Sequence, residues 1–349
     1  MPNKIPRIAV DAMGGDFGPQ VVIPGAVHAA RAGRAAVTLV GDEDVIRAQL
    51  ARMDVKGLPL AVVHASQVVE MEEKPTEALR RKKDSSIQVA CNLVRDGEAD
   101  GVISAGHSGA TLACAMFTIG RAPGVDRPAL ATFMPTEHAH CIIIDVGANV
   151  DCKPFHLLQF GIMASVLAKI MLGRENPKVA LLSNGEEPGK GNHAVKEAFE
   201  LLQQSSLNFV GNIEGRDLFA GNVDVVVCDG FVGNVVVKQA EGLATSLGRL
   251  LKGEMRRGFF GKIGTMLALN ALKRFSRLVD YAEYGGAPLL GLQGSCLICH
   301  GASSSKAMSS AVRMAARFVE MEANTHLSSA VAQNIDLVGD CHQAVNEQR

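Results

Sequence analysis

Six stretches of this 349-residue chain combine glycine with Ser, Asn, Asp, His or Lys directly after an apolar run. They are Asp11 to Asp16, Ser104 to Ala110, Asp145 to Asn149, Ser183 to Gly191, Asp229 to Asn234, and His300 to Lys306. Small polar side chains and free backbone amides suit phosphate. Glycine lets the backbone approach a ligand closely, and the amides at a following helix start favour an anion. Any one of these stretches serves equally as an ordinary turn or helix cap. Six at the same kind of position argue for a shared cleft. Lys190 supplies a point charge near a helix start, and Lys83 precedes a cap-like turn, Asp84-Ser85-Ser86. His107 and His300 sit in glycine loops. His300 could donate to an oxyanion or cap a helix starting at Ser303.

Other chemistries fit less well. The fourth loop is one residue short of a nucleotide-binding P-loop, and Gly191 stands where Ser or Thr would hold magnesium. No G-x-G-x-x-G follows a strand, so a dinucleotide site is not expected. Cys296-Leu297-Ile298-Cys299-His300 has no second ligand pair and alternates like a buried strand, which disfavours zinc. The cysteines lie in apolar runs, poor settings for a nucleophilic thiolate. No metal and no cofactor are expected.

The elements that must hold these loops alternate. Strands are expected at 8–10, 37–40, 60–63, 101–104, 129–134, 141–145, 179–183, 208–211, 223–228 and 296–299. Helices are expected between most of them, for instance Phe155 to Leu172 and His193 to Gln204. β-Branched runs such as Ile142-Ile143-Ile144 and Val225-Val226-Val227 signal strands covered on both faces. The pattern predicts an α/β layered fold with a mainly parallel sheet. With no repeat and no long linker, the expectation is one large unit over 1–349 with two intertwined halves.

Bulk properties narrow the partners. Hydrophobic residues make up 47% and the formal net charge is -1, which gives no reason to expect nucleic acid. Aromatics are 4%, with no Trp, too few for base-stacking platforms. We expect no membrane-spanning run of about 18 apolar residues. Met1 to Arg7 lack the apolar core of a signal peptide, and the eight cysteines suggest free thiols in a cytoplasmic setting. Residues 240–282 carry no strand pattern and read as a glycine-jointed helical hairpin. Between Arg249 and Arg277 there are eight Lys or Arg against one acid, Glu254. Such a basic stretch, with Phe259, Phe260, Ile263 and Leu267, could lie on an anionic membrane surface or pack at a dimer interface.

Several motifs together resemble one family. Asp11-Ala12-Met13-Gly14-Gly15-Asp16, Asp145-Val146-Gly147-Ala148-Asn149, Leu182-Ser183-Asn184-Gly185-Glu186-Glu187 and Gly211-Asn212-Ile213-Glu214-Gly215-Arg216-Asp217 are similar to those of the phosphate acyltransferases of bacterial phospholipid synthesis, the PlsX family. So are Cys228 to Asn234 and Glu283 to Gly291. The second loop departs from the family pattern, with His107 and Ser108 where the family carries Asn and Thr. The resemblance implies transfer of a long acyl chain from acyl carrier protein to inorganic phosphate. It implies a three-layer α/β/α fold with a mixed sheet, similar to isopropylmalate dehydrogenases and phosphotransacetylases. It also implies a homodimer, peripheral membrane association and hand-over to a downstream glycerol-3-phosphate acyltransferase.

Within that reading Lys190 holds phosphate or the developing charge, and Asn234 donates to the carbonyl oxygen. Asp11, Gly14, Gly15, Asp16, Lys83, Ser85, Ser86, His107, Ser108, Asn149, Asn184, Asp229, His300, Ser303 and Ser304 are expected to line the substrate cleft. Rival readings are a short-chain phosphotransacetylase acting on acyl-CoA, a non-catalytic carrier-protein scaffold, and a nicotinamide dehydrogenase of related architecture.

Overall fold

The computed structural model describes residues 5–255, 257, 264–272, 274 and 285–334. Within them runs a single eleven-stranded sheet: β1 (Arg7–Asp11), β2 (Ala36–Gly41), β3 (Leu60–His64), β4 (Gly101–Ser104), β5 (Ala129–Pro135), β6 (His140–Ile144), β7 (Lys178–Leu182), β8 (Asn208–Ile213), β9 (Val225–Val227), β10 (Ala287–Leu290) and β11 (Ser295–Ile298). The order across the sheet is β3-β2-β1-β4-β11-β10-β5-β6-β9-β7-β8. Strands β3 to β11 in that order are mutually parallel, as are β6, β9, β7 and β8. Between these blocks the pairs β11/β10, β10/β5 and β5/β6 are antiparallel, so the two blocks run in opposite directions. The β10/β5 ladder is two residue pairs long, Leu289 with Leu130 and Leu290 with Ala129.

Strand β10 is absent from the sequence expectation. It is four residues long, carries Pro288, and lies between Gly286 and Gly291, all of which read as turn.

Alternation along the strands sorts the helices into two outer layers. Ile8, Val10, Val37, Leu39, Ile142, Ile144, Val179 and Leu181 face one way. They pack with residues of α1 (Pro19–Arg31), α2 (Glu43–Leu50), α6 (Pro154–Leu172), α7 (His193–Gln204), α9 (Ser305–Glu320) and α10 (Ala323–Ala332). Ala9, Val40, Val102 and Cys296 face the other way, onto α3 (Pro75–Arg81), α4 (Ser86–Arg95) and α5 (Ser108–Cys114). In the second block Cys141, Ile143, Ala180 and Val226 meet Val236, Val237 and Ala240 of α8 (Gly230–Met255). The result is a three-layer α/β/α fold with a mixed sheet.

Two expectations need correction. Helix α6 has the length and composition to cross a membrane, with a mean hydropathy of 1.6 over its most apolar window. It is apolar all round because 83% of that window is buried inside the fold. The first arm of the expected hairpin is not a separate helix: residues 240–255 are the second half of α8, which starts at Gly230. Residues 264–272 are helical. Phe259, Phe260 and Ile263 lie outside the described residues.

Candidate active site

In the first block, three strand-end loops interlock through glycines. Asp11 ends β1 and is buried, and its Oδ2 accepts from the Ser104 hydroxyl at 2.7 Å. A Cβ on Gly14 would fall 2.6 Å from the amide nitrogen of Gly106, so loops one and two can approach only without one. Gly15 has φ of 94° and faces the Gly301 carbonyl, where the Asp16 amide donates at 2.9 Å. Asp16 and the sixth loop are thus joined directly.

Burial pushes the Asp11 carboxyl above its ordinary range, against hydrogen bonds from Ser104, Ser86 and the Met13 and Gly14 amides. A raised folded-state pKa means that the folded chain binds the proton more tightly. Its stabilising contribution is complete below the unfolded value, about 3.9, and is lost as pH rises through the folded value. Asp11→Asn removes that dependence. Urea unfolding should therefore show the variant gaining on the native chain as pH rises through this window. A pH-independent difference would contradict it.

The second block builds its loops around Asp145. Oδ1 accepts from the amides of Leu130 (3.0 Å), Gly147 (3.1 Å) and Ala148 (3.0 Å), and Oδ2 accepts from the amide (2.6 Å) and side chain (2.9 Å) of Asn149. The Asn149 side chain also donates to the Pro128 carbonyl at 2.8 Å. The start of α8 lies flat on this loop. A Cβ on Gly230 would sit 2.7 Å from the Asn149 carbonyl oxygen, and one on Gly233 1.9 Å from that of Asp145. The Asn234 side chain lies over Gly147, 3.8 Å from where its Cβ would be.

The fourth loop closes on itself. The Gly191 amide donates to Asn184 Oδ1 at 2.8 Å, the Lys190 amide to the Glu187 carbonyl at 3.0 Å, and the Asn212 side chain to the same carbonyl at 2.9 Å. The exposed Lys190 side chain folds back over Gly185, whose Cβ would be 2.8 Å from Lys190 Cγ. Asn192 then caps α7. A cavity of about 360 Å³ lies where this cap meets loop three and α8, lined by Cys152, Asn192, Asp229 and Phe231 among others. Burial pushes the Cys152 thiol up to about 12.

The candidate residues therefore gather in two clusters, and the hydrogen bonds that fix each stay within it. Asp11, Gly14, Gly15, Asp16, Ser86, His300, Ser303 and Ser304 belong to the first. Asn149, Asn184, Lys190, Asp229 and Asn234 belong to the second. Ala148 of loop three and Leu112 of α5 both pack against one apolar cluster.

Several candidates carry structural duties. His107 caps α5, its Nδ1 accepting from the Gly109 (3.1 Å) and Ala110 (3.3 Å) amides. His300 Nδ1 accepts from the Ala302 amide at 3.1 Å. In each neutral ring the proton then sits on Nε2, which remains a donor. His300 does not cap its helix: α9 starts at Ser305, and Ser304 accepts from the Ala307 amide at 3.2 Å. Asp229 caps α8, so the fifth loop is the first turn of a helix rather than a loop. Ser85 donates to the Lys82 carbonyl at 2.9 Å. Lys83 is exposed and lies close enough to Cys114 to act on its thiol, and Ser108 is the exposed first residue of α5.

One residue was not singled out in the sequence. Ser183 directly follows β7, and its buried hydroxyl lies 3.1 Å from where a Gly191 Cβ would be. Like the buried hydroxyl of Ser303, it has no hydrogen-bond partner among the described residues.

These features define an α/β protein with the phosphotransacetylase fold and strand-end loops suited to an oxyanion. Its fold aligns with a phosphotransacetylase from Streptococcus pyogenes at a TM-score of 0.62 and 19% identity, covering 90% of this chain and 94% of the other. The family model described as "Fatty acid synthesis protein" matches residues 6–326. A phosphate acyltransferase of Oleidesulfovibrio alaskensis is 62% identical over 97% of each chain, and one of Nitratidesulfovibrio vulgaris (strain DP4) 61% identical over 95% of this chain and 96% of its own. The chain belongs to this family, the phosphate acyltransferases of the PlsX type.

Proposed function

We propose that this phosphate acyltransferase takes a long-chain acyl group from the thioester of an acyl carrier protein and passes it to inorganic phosphate. A phosphate oxygen attacks the thioester carbonyl carbon, and a C–O bond forms. The C–S bond breaks, and the sulfur leaves on the carrier protein's arm and takes up a proton. The products are acyl phosphate and the free carrier thiol. Acyl phosphate then passes to a downstream glycerol-3-phosphate acyltransferase. Phosphate is a nucleophile at neutral pH, so the reaction asks for no covalent enzyme adduct and no cofactor. Orientation of the two partners contributes about 7–11 kcal/mol, and one oxyanion donor about 3–4 kcal/mol.

The observation that carries this reading is that two of the three buried hydroxyls without partners among the described residues lie in strand-end loops, Ser183 beside the Lys190–Gly191 turn and Ser303 in the His300 turn, the third being Ser295 of β11. Leaving such a group unpaired costs about 1–3 kcal/mol, and a bound oxyanion supplies the missing acceptor. In this reading Lys190 holds phosphate or the developing charge, and Asn234 donates to the carbonyl oxygen. His300 Nε2–H, the Ser303 hydroxyl and the Ser304 amide receive phosphate or the donor's arm; the Ser303 amide, expected in the sequence to do so, instead donates to the His300 carbonyl at 2.9 Å. The test is thiol release from long-chain acyl carrier protein. Release should depend on added phosphate and exceed that from acetyl-CoA. No release would leave a carrier-binding scaffold, and a preference for acetyl-CoA would make the chain a short-chain phosphotransacetylase.

The reading extends to a cytoplasmic homodimer that associates peripherally with an anionic membrane. Helix α8 supports it with Leu243, Leu247, Leu250 and Leu251, exposed at helical spacing along one side. Leu267 is 79% exposed, and Arg249, Lys252 and Arg257 are exposed basic residues of the same part of the chain. Leu247→Glu with Leu251→Glu should either split the dimer in analytical ultracentrifugation or abolish co-sedimentation with phosphatidylglycerol liposomes. A double variant unchanged in both assays would sink this extension.

A further inference from the structure

Helices α1 and α9 lie in close contact because Gly25 permits it: a Cβ there would fall 2.6 Å from both Met308 Cβ and the Ser305 carbonyl oxygen. The Ser305 hydroxyl crosses the contact and donates to the Val21 carbonyl at 3.0 Å. Beside this crossing opens a groove of about 480 Å³. Val27 and Met53 give it an apolar floor, and His28, Arg31, Lys306 and Arg313 surround it.

The groove's charge is one-sided. The whole chain is nearly balanced, with 35 basic and 36 acidic residues, yet α1 carries no acid and α9 none before Glu320. Arg31 donates to the Asp54 backbone carbonyl at 2.7 Å, and Arg313 to the hydroxyls of Ser309 (3.4 Å) and Ser310 (2.9 Å). Both guanidinium groups are thus positioned by neutral acceptors. Among the described residues neither is ion-paired with a carboxylate. Two oriented, uncompensated cations over an apolar floor suit an amphipathic acidic helix, with apolar side chains inward and carboxylates at the rim. The groove also adjoins the candidate site, since Ser305 touches it and Ser304, one residue earlier, caps α9 at the end of the His300 loop.

We infer that the groove between α1 and α9 docks an acidic helix of the acyl-donor carrier protein, delivering its thioester arm to the adjoining strand-end loops. This rests on the reading that the donor is a carrier protein. The partner is held by electrostatics at its rim, so charge reversal acts mainly on encounter and on salt dependence.

The test uses the full chain with Arg31→Glu and Arg313→Glu, singly and together, after thermal melting confirms a folded protein. Arg313→Ala serves if a reversal prevents folding. The KM for acyl carrier protein should rise by about tenfold in the double variant, with kcat and the KM for phosphate unchanged. Transfer from acyl-phosphopantetheine, which carries the same thioester without the protein, should keep its native KM. The native enzyme's KM for carrier protein should climb with salt, and the double variant's should be flatter. Equal losses with both donors, or no loss with either, would overturn the docking site. So would lost binding to phosphatidylglycerol vesicles with an unchanged carrier-protein KM, which would make the groove a lipid site. A native enzyme that ignores acyl carrier protein but uses acyl-phosphopantetheine would instead overturn the donor assignment itself.

Discussion

Lys190→Ala is expected to lower phosphate-dependent thiol release by about 10²–10³-fold, with an unchanged melting temperature. The turn that presents Lys190 is fixed by backbone groups and by Asn184 and Asn212, none of which the substitution touches. The side chain is exposed beyond its stem over Gly185, so little packing is lost. What disappears is the cation carried by the turn whose next residue, Gly191, faces the buried Ser183 hydroxyl. Lys190→Arg keeps the charge but replaces a compact ammonium with a planar fork, and should restore only part of the rate. A full native rate in the alanine variant would remove Lys190 from the mechanism.

Gly233→Ala should unfold the second cluster's geometry, costing about 3 kcal/mol or more. The added methyl would lie 1.9 Å from the Asp145 carbonyl oxygen and 2.9 Å from Cys228 Sγ, both parts of a buried strand end. Helix α8 could respond only by lifting off loop three, which would displace Asn234 and Asp229 together. The control is the same substitution nine residues further along the same helix. A Cβ on Gly242 meets nothing within 4 Å, so Gly242→Ala should stabilise the chain by up to about 1 kcal/mol. Chemical denaturation of both variants checks the contrast. Equal effects would mean that helix propensity, not the contact with Asp145, governs position 233.

Much of the fold was legible because parallel strands buried on both faces leave unbroken β-branched runs, as at Ile142 to Ile144 and Val225 to Val227. Strand β10 was not, since a four-residue strand with Pro288 has no pattern of its own and is created by its two antiparallel neighbours. Gly230 and Gly233 read as loop because glycine signals a turn locally. Here it signals a helix pressed against a carbonyl, a fact that exists only in three dimensions. The positions of the strand-end loops could be read from the chain, but the employment of their side chains could not. Asn149 is spent on Asp145 and Pro128, and His107 on two amides of its own helix. Ser183 went unnoticed because an unpaired hydroxyl is recognised by what surrounds it.

The two-pair ladder between β10 and β5 has a mechanical consequence. Every bond described above that shapes a bank of loops lies wholly on one side of that seam, whereas Leu289–Leu130 and Leu290–Ala129 are the ladder's entire length. So short a seam leaves the spacing of the banks to the layers around it: the Arg317 side chain of α9 donates to the Ile170 carbonyl of α6 at 2.8 Å, and one apolar core holds residues of both blocks. The two banks are thus braced from behind by their helices rather than stitched together along the edge where they meet.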